Sequence, residues 1–236
     1  MKIAIIIPTY NEAENIENLM KKIATLNLDD WRIFFVDDSS PDKTGEIIKT
    51  LSTIFPITLI KRPQKLGLGS AYAVGFKQAL LSGAQYIFEM DADLSHDPND
   101  IPKLLQTCQS EADLAIGSRK IKGGKIIGWN WRRHFMSNGA MFFSRFILDL
   151  KTHDVTSGFR CYKRKILESI NFDTISSGGY AFQEEMLFLT EKNGFSVKEI
   201  PVVFNDRKFG KSKLSYKDIW EFFLVIFHLK FDKNNK

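Results

Sequence analysis

Five times in its first half the chain repeats one pattern: a short apolar run stops at a polar stretch, and most of these lead into a helical stripe. The runs are "KIAIIIP", "RIFFVDD", "ITLIKR", "YIFEMDAD" and "ADLAIGSR". Their nearly unbroken apolar, often β-branched content reads as strands buried on both faces. Between them, Ile16, Leu19, Met20, Ile23 and Ala24 repeat at the spacing of one buried helix face, in a helix starting near Glu12. "SSPDKTGEIIKTL" turns Ile47, Ile48 and Leu51 inward. "LGLGSAYAVGFKQALLSG" is rich in small residues that suit close packing on a sheet, and Gly83 ends it. "HDPNDIPKLLQTCQ" offers Asp97 as N-cap, Pro98 at the first helical position, and Ile101, Leu104, Leu105 and Cys108 as the inner face. Repeated β-α-β units imply an α/β fold with a mainly parallel, Rossmann-like sheet covered by helices on both faces.

Past Arg119 the alternation breaks. A Gly- and Lys-rich loop leads to an aromatic helix over about Trp131 to Leu148, then to the loop "DVTSGFRCYKR". A helix near Phe182 to Asn193, one strand "FSVKEIPVVF", the basic loop "NDRKFGKSKLS" and an apolar helix from Tyr216 to Lys230 follow. The tail from Asp232 to Lys236 is expected to be disordered. Cys108 and Cys161 have neither disulfide-framework nor metal spacing and read as buried thiols of a reducing compartment. The N-terminal apolar run is too short for a signal peptide, and no segment reaches the ~20 apolar residues that cross a bilayer.

In an open parallel sheet, ligands bind beyond the carboxyl ends of the strands, and the polar features gather there. Strand one ends in Pro8-Thr9-Tyr10-Asn11-Glu12, strand two in Asp37-Asp38, strand four in Asp91-Ala92-Asp93, strand five in Ser118-Arg119. The D-x-D alone is balanced between two readings: carboxylates for a hard divalent cation, or acids that cap the next helix. Asp37-Asp38 and the basic loops shift the balance to a metal-bound diphosphate. A phospho-accepting receiver domain would also carry an acidic pair, but it is small and leaves half the chain unexplained. Glu184-Glu185 reads as a loop-orienting or solvent-facing pair. The histidines at 96, 134, 153 and 228 lack metal spacing, so each reads as structural or hydrated. Gly67 and Gly69 hint weakly at a phosphate-cradling loop. Lys61, Arg62 and Lys65 read as a solvated edge.

"IIIPTYNEAENI", "VDDSSPDKT", "KLGLGSAYAVGF", "MDADLSHDP" and "IGSRKIKGG" together resemble the glycosyltransferase family two pattern on the GT-A fold. "TSGFRCYKRKIL", "GYAFQEEMLF" and "IPVVFNDRKFGKSKLS" narrow the resemblance to the dolichol-phosphate (polyprenol-monophosphate) mannosyltransferases, over residues 3 to about 220. It implies a catalytic domain over 1–215, followed by the apolar, interfacial helix and tail over 216–236. It also implies nucleotide-pocket roles for Pro8, Tyr10 and Glu12, and base and ribose contacts at Val36 and Asp38. Asp91, Ala92 and Asp93 match the metal-diphosphate motif for Mg2+ or Mn2+, with Asp93 the foremost ligand. Ser95 stands at a further metal-side position where some relatives carry Gln. Arg119, Arg133, Arg207 and Lys213 match basic positions that meet the donor's diphosphate or the acceptor's phosphate. Asp93, Arg119 and Arg133 are the expected catalytic residues.

The expected reaction is inverting transfer of mannose from GDP-mannose to a polyprenyl or dolichyl phosphate. The alternative is another donor, such as UDP-glucose, with a lipid-phosphate or glycan acceptor. Such an enzyme would be cytoplasmic and peripheral at a membrane, the endoplasmic reticulum in a eukaryote or the plasma membrane in a prokaryote. The segment Tyr216 to Lys230 would lie on the membrane surface or dock on a small membrane-anchoring subunit; packing on the domain is the competing reading. The net charge of +5 would also allow a nucleic-acid partner. Carboxylates at the same strand ends would repel its phosphates unless a metal intervened, so none is expected.

Overall fold

The computed structural model describes residues 2–175, 177–179, 181–206 and 216–231. The first half runs β1 (Ile3–Thr9), α1 (Ala13–Ala24), β2 (Trp31–Asp37), α2 (Thr44–Leu51), β3 (Ile57–Lys61), α3 (Leu68–Leu81), β4 (Tyr86–Glu89), α4 (Ile101–Ser110) and β5 (Leu114–Ser118). The second half runs β6 (Lys125–Ile127), α5 (Trp131–Leu148), β7 (Arg160–Lys163), α6 (Arg164–Ser169), α7 (Phe182–Lys192), β8 (Val197–Pro201), β9 (Val203–Asn205) and α8 (Tyr216–Phe231). The central sheet has the order β3-β2-β1-β4-β7-β5-β8. All its pairings are parallel except those of β7, which runs antiparallel between β4 and β5. A small parallel pair, β6 and β9, lies apart.

The uniformly apolar strands serve two cores. On β1, Ile3, Ile5 and Ile7 face the layer that contains α1, α2 and α4, while Ala4 and Ile6 face the layer of α3, α5, α6, α7 and α8. The small residues of α3 let it lie close to the sheet. A Cβ at Gly75 would come within 2.2 Å of Ile6 Cγ2. Asp97 caps the turn before α4 as expected, its side chain accepting the backbone N–H of Asn99. Cys108 and Cys161 are both buried, and the Cys108 thiol donates to the Cys161 carbonyl.

Two expectations need correction. "DVTSGFRCYKR" is not all loop, because Arg160–Lys163 forms β7 in the middle of the sheet. The pattern hid it because β7 begins with a charged residue. Arg160 is fully buried and spends its guanidinium on the carbonyls of Ser157, Gln183 and Val155. "FSVKEIPVVF" is likewise two strands. After Pro201 the chain changes sheets: Val202 donates to Ser118 and accepts from Lys125.

Helix α8 joins the larger core through Val225, Ile226 and Leu229. Its Trp220, Leu224, Phe227 and Phe231 remain exposed, as do Trp131, Phe135, Met136, Phe142 and Phe146 of α5. The two helices are joined by Phe143, whose ring meets those of Phe223 at 5.0 Å and Phe227 at 5.8 Å. Among the described residues no helix is long and apolar enough to cross a membrane. The expected disordered tail lies outside the described residues.

The close approach of α3 to β1 makes Gly75→Ala destabilising despite the better helix propensity of alanine. The expected loss is about 1–3 kcal/mol, the usual cost of overpacking a filled core. Urea unfolding of the variant checks it.

Candidate active site

The ends of β1 and β2 are pinned together. Thr9 Oγ1 donates to Asp37 Oδ1 at 3.0 Å, and the Asp38 N–H donates to the Thr9 carbonyl at 3.1 Å. Asp37 also accepts from the N–H and hydroxyl of Ser40, so it works as an anchor below the surface. Asp38 pairs with Arg62 and accepts the Leu66 N–H. Arg62 is therefore not part of a solvated edge. It is 6% exposed and also donates to Ser70 Oγ at 2.6 Å and to the Gly67 carbonyl at 2.9 Å. One buried guanidinium thus ties the end of β2 to the start of α3. Lys65 holds its ammonium 4.7 Å above the Tyr10 ring.

These contacts shape a cleft of about 220 Å³. It brings together Pro8, Tyr10, Glu12, Asp38, Asp91, Ala92 and Asp93, all expected site residues. It also brings in Thr9, Lys65 and Gly179, to which the sequence reading gave no pocket role, and Gly67, for which it offered only the hint of a phosphate-cradling loop. Asp91 accepts the Tyr72 hydroxyl at 3.4 Å, and Asp93 Oδ1 accepts the Ser95 N–H at 3.0 Å. Gly179 reaches the rim because Glu185 holds the neighbouring Ser177, and the Gly178 carbonyl accepts the Gly69 N–H at 3.0 Å. Glu185 is thus a buried loop holder, and neither it nor Glu184 faces solvent.

Other expected residues stand elsewhere. Val36 is fully buried in the core beneath α3 and does not line the cleft. Ser95 is 1% exposed, its hydroxyl enclosed without a protein partner. His96 is a buried structural ring stacked on Phe159, and burial lowers its pKa to about 4. Arg207 and Lys213 lie outside the described residues.

Arg119 and Arg133 flank the cleft without lining it. Arg119 is held by an acid that sequence reasoning missed: Asp154 accepts its Nε at 2.8 Å, its Nη2 at 2.6 Å and its backbone N–H at 2.8 Å. Burial alone would raise the Asp154 pKa, but the Arg119 guanidinium outweighs it and holds the carboxyl below its ordinary value. Glu199 in turn accepts the N–H groups of His153 and Asp154, each at 2.9 Å, and so fixes the loop that carries Asp154. Arg133 donates to Asp206 at 2.8 Å. No local signal marks Asp154 or Glu199, since their partners are far away in sequence. A larger cavity, about 610 Å³, lies between loop 148–153, α7 and β8. Its Glu191 and Glu199 are already occupied by backbone N–H groups.

Residues 4–170 match the Glycosyl transferase family 2. The chain belongs to this family. Glycosyl transferase family 2 proteins are glycosyltransferases, so the protein is an enzyme. Polyprenol monophosphomannose synthase of Mycolicibacterium smegmatis is 42% identical over 219 residues, covering 92% of this chain and 82% of the relative. Undecaprenyl-phosphate mannosyltransferase of Micrococcus luteus is 38% identical over 91% of this chain and 88% of its own length. Dolichol-phosphate mannosyltransferase of Pyrococcus furiosus is 40% identical over 97% of this chain and 64% of its own length. Among solved structures, glucosyl-3-phosphoglycerate synthase of Mycobacterium tuberculosis with uridine diphosphate superposes with a TM-score of 0.67 at 16% identity, over 95% of this chain and 78% of that one. The fold is thus the GT-A type expected from the sequence.

Near the end of β4 lies a buried polar cluster. Tyr162 donates to Glu89 at 3.3 Å, and Arg160 stands beside both. Glu184 is 2% exposed, and burial pushes its carboxyl up to about 7. A carboxyl raised in the folded state stabilises fully below its unfolded value near 4.5, and this stability is lost as pH rises towards 7. Glu184→Gln is therefore expected to flatten the fall in stability across that window, by up to about 1.4 kcal/mol per pH unit. Unfolding titrations at pH 5 and pH 7.5 measure it. An unchanged slope would show that Glu184 ionises normally in the fold.

Proposed function

We propose that this glycosyltransferase moves mannose from GDP-mannose to the phosphate of a polyprenyl or dolichyl phosphate, giving β-linked lipid-phosphate-mannose and GDP. The observation that carries the reading is the cleft itself: Asp91 and Asp93 at its wall, with two preset arginines at its flank. The names of the relatives at 38–42% identity support the mannosyl donor and lipid-phosphate acceptor. A lipid phosphate is already anionic, so its oxygen can attack the anomeric carbon without a base to deprotonate it. What it needs is alignment beside another anion, which guanidinium groups supply.

The donor set fits a hard divalent cation, Mg2+ or Mn2+. Asp91 and Asp93 offer carboxylate oxygens at the cleft, and no cluster of three or more His, Cys, Asp or Glu metal ligands occurs among the described residues. That is the donor set of an ion that completes its shell with phosphate oxygens and water. Such an ion would neutralise charge on the departing diphosphate. A glucosyl-3-phosphoglycerate synthase that is similar in fold was solved with Mn2+, UDP-glucose and glycerol 3-phosphate, which supports a divalent cation in this reading. Lys65 and Tyr10 form one wall of the nucleotide's path, and Gly179 part of its rim.

The exposed aromatic residues of α5 and α8 form a surface suited to a lipid interface or to a small membrane-anchoring subunit. Their placement would bring the arginine-lined flank, at the start of α5, towards the acceptor's headgroup.

Two measurements test the reading. With GDP-mannose, polyprenyl phosphate and Mg2+ or Mn2+, the purified protein is expected to form lipid-linked mannose, and Asp93→Ala to lower the rate about 100-fold or more. Full activity in that variant would sink the assignment, and tighter calorimetric binding of UDP than of GDP would shift it to a uridine-linked donor. Flotation with vesicles containing polyprenyl phosphate should be lost when Trp220, Leu224 and Phe231 are together replaced by Ser. Unchanged flotation would argue against the α8 face as the anchor.

A further inference from the structure

Arg119 follows β5 and Arg133 lies in the first turn of α5, yet the two meet at one ring. The guanidinium carbon of Arg133 is 4.1 Å from the Trp129 ring centroid, and that of Arg119 is 5.9 Å away. Arg119 also lies 5.3 Å from the Phe204 centroid, and Phe204 meets Trp129 edge-on at 5.8 Å. Phe204 meets His96 in turn at 5.7 Å, and His96 Nδ1 accepts the Asp91 N–H at 3.4 Å. An aromatic column thus runs from the acid pair of the cleft to the two arginines.

The local chain is built to deliver this ring. Gly128 has φ of +95°, and a Cβ there would come within 2.8 Å of Asp206 Cβ. Asn130 then caps α5 by accepting the Arg133 N–H at 2.9 Å. The Trp129 Nε1–H is enclosed and has no partner among the described residues. The ring is therefore held, and acts, through its faces and edges and not through a hydrogen bond. Each guanidinium directs part of its polar edge to its own acid, Asp154 or Asp206. No described residue accepts from Arg119 Nη1. Two cations against one ring repel, and the π system and the paired acids offset that repulsion.

We infer that Trp129, backed by Phe204, is the positioning residue that holds Arg119 and Arg133 against one ring as one receptor for the phosphate of the acceptor. The inference rests on the lipid-phosphate reading. It concerns neither the nucleotide nor the metal side, so its signature is a split between substrates.

The test uses the full chain with Trp129→Leu and Trp129→Phe, GDP-mannose, and a short-chain polyprenyl phosphate in detergent. Trp129→Leu should raise the acceptor KM about tenfold, the scale of a desolvated cation–π contact. The donor KM and calorimetric GDP binding should change less than about twofold, within ordinary scatter for an untouched site. Trp129→Phe should recover part of the acceptor affinity, because it keeps a π face while losing the second ring and an unused N–H. An acceptor KM unchanged in Trp129→Leu would overturn the inference, as would a Phe variant no better than Leu. Parallel loss of donor binding and Tm would do so too, by marking the ring as a structural plug. Should Trp129→Leu not fold, Trp129→Met keeps apolar bulk without a π face and reads the same split. Failure of both to fold would also overturn it. Absence of transfer by the wild-type protein would instead overturn the functional reading, and the inference with it.

Discussion

Acids collected at one edge of a sheet must each be answered by donors, and this requirement organises the whole carboxyl edge of this one. Asp37 is answered by hydroxyls and an N–H, Asp38 by Arg62 and Leu66, Asp154 by Arg119. Removing one partner from a buried pair of this kind costs about 3–5 kcal/mol, because it leaves an uncompensated charge. The pairs also span elements: Arg62 joins the β2 end to α3, and Asp154 joins the loop after α5 to the end of β5. The edge is therefore rigid for electrostatic reasons as much as for packing reasons. Asp91 and Asp93 are presented at the cleft by a framework whose other acids carry structural duties.

How much of this the sequence disclosed depends on the range over which each signal acts. The apolar runs of β1, β2, β4 and β5 are local, and so are the small residues of α3 and the Asp97 cap; all were legible. The strand ends followed from them, which is why most of the cleft was legible too. Arg62 was misread because a charge in sequence does not show its partner, and Asp38 follows a different strand. β7 escaped for the same reason. Its leading Arg160 looks like a loop residue until the carbonyls of Val155 and Gln183 are seen to enclose it. Asp154 and Trp129 matter through what they touch, and neither carries a spacing that announces it.

The apolar helices show a different limit. α8 is apolar nearly all round, a pattern equally suited to burial and to an interface. The fold resolves this by division: Val225, Ile226 and Leu229 enter the core, while the opposite side joins the exposed aromatic residues of α5. Periodicity could not assign α5 to such a surface, because its aromatic residues fall on several sides of the helix. Phe143 faces α8, while Phe142 and Phe146 face outward, their rings 6.3 Å apart. A continuous apolar surface is a property of two helices together, and its contribution appears only once they are placed.

The arginine pairs also change what the net charge of +5 means. Arg119 with Asp154, and Arg133 with Asp206, are each close to neutral as units. A neutral pair projects little field beyond a Debye length of about 8 Å at physiological salt. It still presents oriented N–H groups, and the order needed to present them is already established by the acid. On the proposed reading, recognition of the acceptor phosphate at these arginines would be directional and short-ranged. That suits an acceptor delivered along a surface, whose phosphate arrives at a set height and angle, better than one captured from bulk solution by steering.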